Sequence, residues 1–172
     1  MGVRYDEALA YATKMHEGAL RREGIPYITH PVAVAEMLAE WGMDEDFQIA
    51  GLFHDLLEDT DASEEEIRRI GGEKVLRCVR LLTKFPGYVK PEYVGAIRSD
   101  PMAKTVKTAD RVHNLMTAVN TDEAFRRHYI KDTVEWYLDF SPLIVQQVRS
   151  LMETLPGEQW DFSENEKALL GL

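Results

Sequence analysis

Helical signals recur along the whole chain and no run of residues alternates as a half-buried strand must, so these 172 residues are confined to an all-α fold. Stop and start residues mark the helices out. A first helix is expected over about residues 3–20, followed by a loop to residue 29 that contains Gly24 and Pro26. Pro31 suits the first turn of a second helix, which Gly42 ends just after Trp41. Asp44 can cap a third, and Ser63 with Glu66 reads as a capping box for the next, which Gly71 and Gly72 close. Another helix covers about residues 73–82 and stops before the Phe85-Pro86-Gly87 break. Later starts fall near Pro91, at Asp100-Pro101 through about Val119, at a Thr121 cap through about Asp139, at Ser141-Pro142, and at Ser163 with Glu166. With no internal repeat, low-complexity tract or linker, residues 1–172 read as one compact multi-helix bundle.

Charge narrows the partners. Thirty acids against twenty Lys and Arg give a net charge of -10, which opposes nucleic acid or an anionic membrane as a general partner and still permits a small anion in a local basic pocket. The single cysteine, Cys78, has no internal disulfide partner and reads as a small core residue. No apolar stretch is long enough to span a bilayer and residues 1–10 carry acids, so the expected location is cytoplasmic.

The chemistry concentrates in His54-Asp55-Leu56-Leu57-Glu58-Asp59-Thr60. On a helix, Glu58 stands one turn from His54 and Asp59 one turn from Asp55, so four polar groups converge. Ile49, Ala50, Leu52, Phe53, Leu56 and Leu57 make the same segment apolar, which implies burial, and buried carboxylates need a counter-charge. A divalent cation supplies one; a structural ion-pair network supplies another, and the spacing alone permits both. Glu58 and Asp59 also fit a solvated helix end. One His and one Asp rarely hold a metal alone, which directs attention to His30 at a helix start and to Asp110 among Val106, Ala109 and Val112. Asp110 can equally form a plain ion pair with Arg111.

The order His30, His54-Asp55, Asp110 resembles the HD-domain phosphohydrolase superfamily, whose members are all-α metalloenzymes. Tyr27-Ile28-Thr29-His30-Pro31, His54-Asp55-Leu56-Leu57-Glu58-Asp59-Thr60 and Lys107-Thr108-Ala109-Asp110-Arg111-Val112-His113-Asn114-Leu115 are similar, more narrowly, to the hydrolase domain of the RelA/SpoT family, which removes the 3′-pyrophosphate of (p)ppGpp. With no room for a synthetase domain, the closest type is the stand-alone small alarmone hydrolase. The resemblance implies that His30, His54, Asp55 and Asp110 bind one Mn²⁺, with another divalent transition metal as a substitute, and that Glu58 and Asp59 orient and deprotonate the attacking water. It further implies substrate contacts from Arg21, on the guanine, and from Arg22, Lys107, Asn114 and Thr117. His16 matches a family position and reads as structural.

Glu23 and Ile25 depart from the family loop around Gly24, and a carboxylate beside a polyphosphate pocket is unfavourable unless a base meets it. Two further readings therefore stand beside the first: an HD phosphohydrolase acting on another nucleotide or phosphate ester, favoured by Glu23, and a non-catalytic nucleotide-binding domain, opposed by the intact Glu58-Asp59 pair.

Overall fold

The computed structural model describes residues 2–172, and among them eleven α-helices and two three-residue 3-10 helices make up the regular structure, with no strand. The all-α expectation holds. The chain divides into two compact units, Met1–Asp110 and Arg111–Leu172.

In the first unit, α1 (Val3–Met15), α2 (Thr29–Glu40), α3 (Glu45–Phe53), α4 (Leu56–Asp59), α5 (Glu64–Gly71), α6 (Glu73–Leu82) and α7 (Lys90–Ser99) precede α8 (Pro101–Thr117), whose last turns belong to the second unit. Helix α3 is central. It packs against α1, α2, α5 and α6, and its Ile49, Ala50, Leu52 and Phe53 have no exposed surface, as a helix apolar on every side requires. Asp44 caps it, accepting from the Phe47 N–H at 3.2 Å. Helix α2 comes so close that a Cβ on Gly51 would lie 2.9 Å from Leu38 Cδ1 and 3.2 Å from the Ala35 backbone nitrogen. Gly51→Ala is accordingly expected to destabilise the fold by about 1–3 kcal/mol, read as a lowered midpoint in denaturant.

Helix α1 ends at Met15, five residues short of the expected stop, because the chain turns at Gly18 (φ +81°) and doubles back in a tight loop. Leu20 bridges to Pro26, the Arg21 N–H donates to Ile25 O, and Gly24 occupies φ +89°, where a side chain would be strained. The expected capping box on α5 is half present. Ser63 accepts from the Glu66 N–H, while the Glu66 carboxylate is engaged by Arg69 instead of reaching back. Cys78 is fully buried, and burial pushes its thiol up to about 12.

In the second unit, α9 (Glu123–Trp136), α10 (Pro142–Met152) and α11 (Glu164–Leu170) enclose Ile130, Val134, Ile144 and Val148. Asp122, one residue past the expected Thr121, caps α9; Ser141 caps α10; Ser163 and Glu166 close a full capping box on α11. Arg111 is buried here, its guanidinium 4.6 Å from the Tyr129 ring and 4.2 Å from Tyr137, with Asp132 at 2.8 Å. A cation stacked between two rings and paired with an acid is part of the core. Among the described residues no helix is long and apolar enough to cross a membrane.

Candidate functional site

His30 enters from the first turn of α2, Asp110 from α8, and His54 with Asp55 from the break between α3 and α4. The continuous helix expected through the central motif is thus interrupted at its two most polar residues. One link survives: the Asp59 N–H donates to Asp55 O at 2.9 Å, so the four-residue spacing between those acids is preserved.

His30 and His54 are 1% and 3% exposed and Asp110 is 6% exposed, and their ligand-type atoms all lie within 4.8 Å of one another. His30 Nε2 is 2.9 Å from Asp110 Oδ1, and His54 Nε2 is 3.4 Å from the same oxygen. Asp55 Oδ2 stands beside this group, 3.1 Å from His54 Nε2 and 3.9 Å from His30 Nε2. Ligands about 2.1 Å from one ion sit about 3.0 Å apart when adjacent and about 4.2 Å apart when opposite, and all four separations fall close to or within that span.

Hydrogen bonding supports the same reading. His54 Nδ1 donates to Gly51 O at 2.6 Å, which fixes the tautomer and leaves the Nε2 lone pair aimed into the cluster. That buried Nε2 has no hydrogen-bond partner of good geometry, although two carboxylate oxygens stand within 3.4 Å. A lone pair facing two carboxylates is repulsive until a proton or cation lies between them. Burial opposes a second proton on His54, yet Asp55 and Asp110 override it and raise its pKa well above the usual histidine range. Asp110 resists its own burial through the Lys107 ammonium, Nζ 3.0 Å from Oδ2, and is held well below the usual carboxylate range. Two neutral imidazoles and two carboxylates suit one divalent ion, so the residues present fit a metal.

A second layer holds these groups. The Tyr27 hydroxyl donates to Asp55 Oδ2, and burial followed by the Asp55 charge keeps that phenol protonated. His16 is buried against the Tyr27 ring, 4.9 Å between centroids. Glu58 accepts from the Lys84 main-chain N–H at 2.8 Å. Neither Tyr27 nor Lys84 stands out in the sequence as a support for the site: the contacts they make join residues 28 and 26 positions apart.

Asp59 is the acid whose proton affinity is tuned toward neutrality. Burial, then Asp55, then Glu58 push its pKa up to about 6. In metal-free protein, a carboxylate carbon titration by NMR is expected to place Asp59 near 6, and an added divalent ion to shift it downward because a nearby cation favours the carboxylate. A midpoint near the ordinary aspartate value would contradict the arrangement.

The remaining expected residues are distributed as follows. Arg21 lies in the 20–26 turn with Nε 3.0 Å from Glu23 Oε1, both side chains largely buried, so the base that Glu23 requires is Arg21. Arg22 is exposed in the same turn. Lys107 contacts Asp110, a potential metal ligand. Asn114 and Thr117 occupy the last turns of α8 in the second unit, where the Thr117 hydroxyl donates to His113 O at 3.1 Å.

Residues 8–91 match a family model described as HD domain. The chain is 38% identical over 139 residues to an Aquifex aeolicus protein named guanosine-3′,5′-bis(diphosphate) 3′-pyrophosphohydrolase, covering 76% of this chain and 20% of that one. It is 35% identical over 170 residues to the Escherichia coli K12 bifunctional (p)ppGpp synthase/hydrolase SpoT, covering 90% and 24%. A Streptomyces coelicolor protein named GTP pyrophosphokinase aligns at 37% identity over 141 residues, covering 77% and 17%. The chain thus spans less than a quarter of each of these relatives. A solved structure from work on a metazoan orthologue of SpoT that hydrolyses ppGpp superposes with a TM-score of 0.68 at 24% identity, covering 99% of this chain and 93% of that one, and shares the fold.

Proposed function

Because the chain is an HD-domain protein homologous to SpoT and RelA (p)ppGpp hydrolase domains, we propose that it hydrolyses the 3′-pyrophosphate of (p)ppGpp, with His30, His54, Asp55 and Asp110 as the ligands of one Mn²⁺. The observation that carries this reading is the buried His54 Nε2 lone pair aimed at two carboxylates, beside an acid pair that the cluster does not need for binding. Mixed nitrogen and carboxylate donors suit Mn, Fe, Co or Zn better than Mg, which prefers oxygen and retained water. When bound, such an ion lowers the pKa of water toward ~7 and offsets charge on the transferring phosphoryl group.

The protein's own groups divide the remaining work. The Lys84 N–H holds Glu58 as the orienting acceptor for the attacking water. Asp59, raised to about 6 without a metal and lowered from there by a nearby cation, is ionised at neutral pH and takes the proton. Water oxygen bonds to the phosphorus attached to the 3′-oxygen, that P–O bond breaks, and the 3′-oxygen leaves as a hydroxyl on receiving the proton that Asp59 accepted. The products are GDP or GTP and pyrophosphate. In this scheme Arg21 and Arg22 contact the nucleotide, and Lys107 acts through Asp110.

A second reading retains the metal and the acid pair and changes the substrate to another nucleotide or phosphate ester. The buried Arg21–Glu23 pair favours it, because the cation expected to meet guanine already meets a carboxylate. Incubating Mn²⁺-loaded protein with ppGpp and with a nucleotide panel, then separating products by chromatography, decides between them. GDP with pyrophosphate supports the first; hydrolysis confined to other nucleotides supports the second.

A further inference from the structure

Lys84 leaves α6 through Thr83, and its main-chain N–H fastens it to Glu58 Oε1 at 2.8 Å. Its ammonium behaves unlike the arginines of α5 and α6. Arg68, Arg69, Arg77 and Arg80 each meet a carboxylate within 3.3 Å. Among the described residues no carboxylate pairs with Lys84, although Glu58 and Asp59 are its neighbours and its charge is felt at Asp59. The ammonium rests instead over two rings, 6.0 Å from the centroid of Tyr88 and 5.8 Å from that of Tyr93. Those distances are the outer limit of a cation–ring attraction, so the hold is weak. A strongly hydrated point charge on a flexible stem, tied by its backbone to the acid pair and loosely placed on tyrosines, is free to meet an incoming anion.

We infer that Lys84 binds the diphosphate group of the substrate: its side chain takes the departing pyrophosphate while its main-chain N–H holds Glu58. The inference rests on the phosphohydrolase reading above and adds the residue that receives the pyrophosphate product. It also gives the 84–93 segment a purpose in an acidic protein, as a local cation beside carboxylates that would otherwise repel a polyanion.

The test compares Lys84→Met and Lys84→Arg, both of which keep the backbone N–H. Inorganic pyrophosphate is titrated into Mn²⁺-equilibrated protein by calorimetry at low and high salt, and ppGpp kinetics are measured in parallel. Lys84→Met is expected to weaken pyrophosphate binding at least about tenfold and to raise KM for ppGpp in proportion, with Mn²⁺ affinity unchanged. Lys84→Arg should stay within about threefold, and added salt should narrow the gap. Unaltered pyrophosphate affinity in Lys84→Met, or no binding by the unsubstituted protein, overturns the inference. The two failures are separable. Pyrophosphate binding that depends on Lys84 without ppGpp turnover sinks the proposed activity alone, whereas ppGpp turnover with unchanged Lys84→Met binding and kinetics sinks the Lys84 assignment alone.

Discussion

Glu58→Ala is expected to lower kcat for ppGpp by about 10²–10⁴ while leaving Mn²⁺ binding intact. The separation follows from position. Glu58 accepts from the Lys84 N–H and is no part of the group formed by His30, His54 and Asp110, so truncation removes an acceptor for water without removing a ligand. A second consequence concerns pH. Glu58 is one of the charges that raise Asp59, so its loss should let the Asp59 pKa fall and move the acid limb of the residual rate to lower pH. Glu58→Gln isolates the electrostatic part, because an amide oxygen still accepts from the Lys84 N–H while the charge that raises Asp59 is gone. Steady-state kinetics, paired with Mn²⁺ titration, check all three points. An unchanged rate in Glu58→Ala would remove Glu58 from the chemistry.

Local signals in the sequence carried as far as local physics reaches. Asp44, Ser141 and Ser163 cap the helices they were expected to cap, since a cap is decided within three residues. Helix continuity across His54 and Asp55 was not legible, because the α3 periodicity runs on with no Gly or Pro at the break and the interruption falls where Asp110 meets His54 and Tyr27 meets Asp55. Charge roles were the least legible. Lys107 and Arg111 look alike as basic residues on one helix. Lys107 is nevertheless spent on Asp110, an i,i+3 neighbour on its own helix, whereas Arg111 is stacked between Tyr129 and Tyr137, partners supplied by the fold at separations that no spacing rule encodes. The four expected metal residues do meet, because each is an ionisable group on an apolar element and burial leaves such groups little choice but one another.

The largest effect is expected from His54→Ala, which should abolish both Mn²⁺ binding and turnover. Replacing a residue that merely orients a ligand costs ~10–100-fold in metal affinity, so removing a ligand whose tautomer is already fixed by Gly51 should exceed that range. The fold should survive, since Asp110 keeps His30 and Lys107 and Asp55 keeps Tyr27. Thermal melts offer a direct readout. An ion that binds only the folded state stabilises it by ~2.7 kcal/mol at a hundred times its Kd, so the unsubstituted protein should melt higher with Mn²⁺ and His54→Ala should not respond. Proton linkage gives an independent check with a defined sign. In metal-free protein the His54 pKa is raised well above its ordinary value, so at neutral pH Nε2 holds a proton that a metal must displace. Affinity should therefore rise with pH, and loading should release protons in weakly buffered solution. A Mn²⁺ affinity indifferent to pH, or a His54→Ala variant that still gains stability from Mn²⁺, would place the ion on other residues.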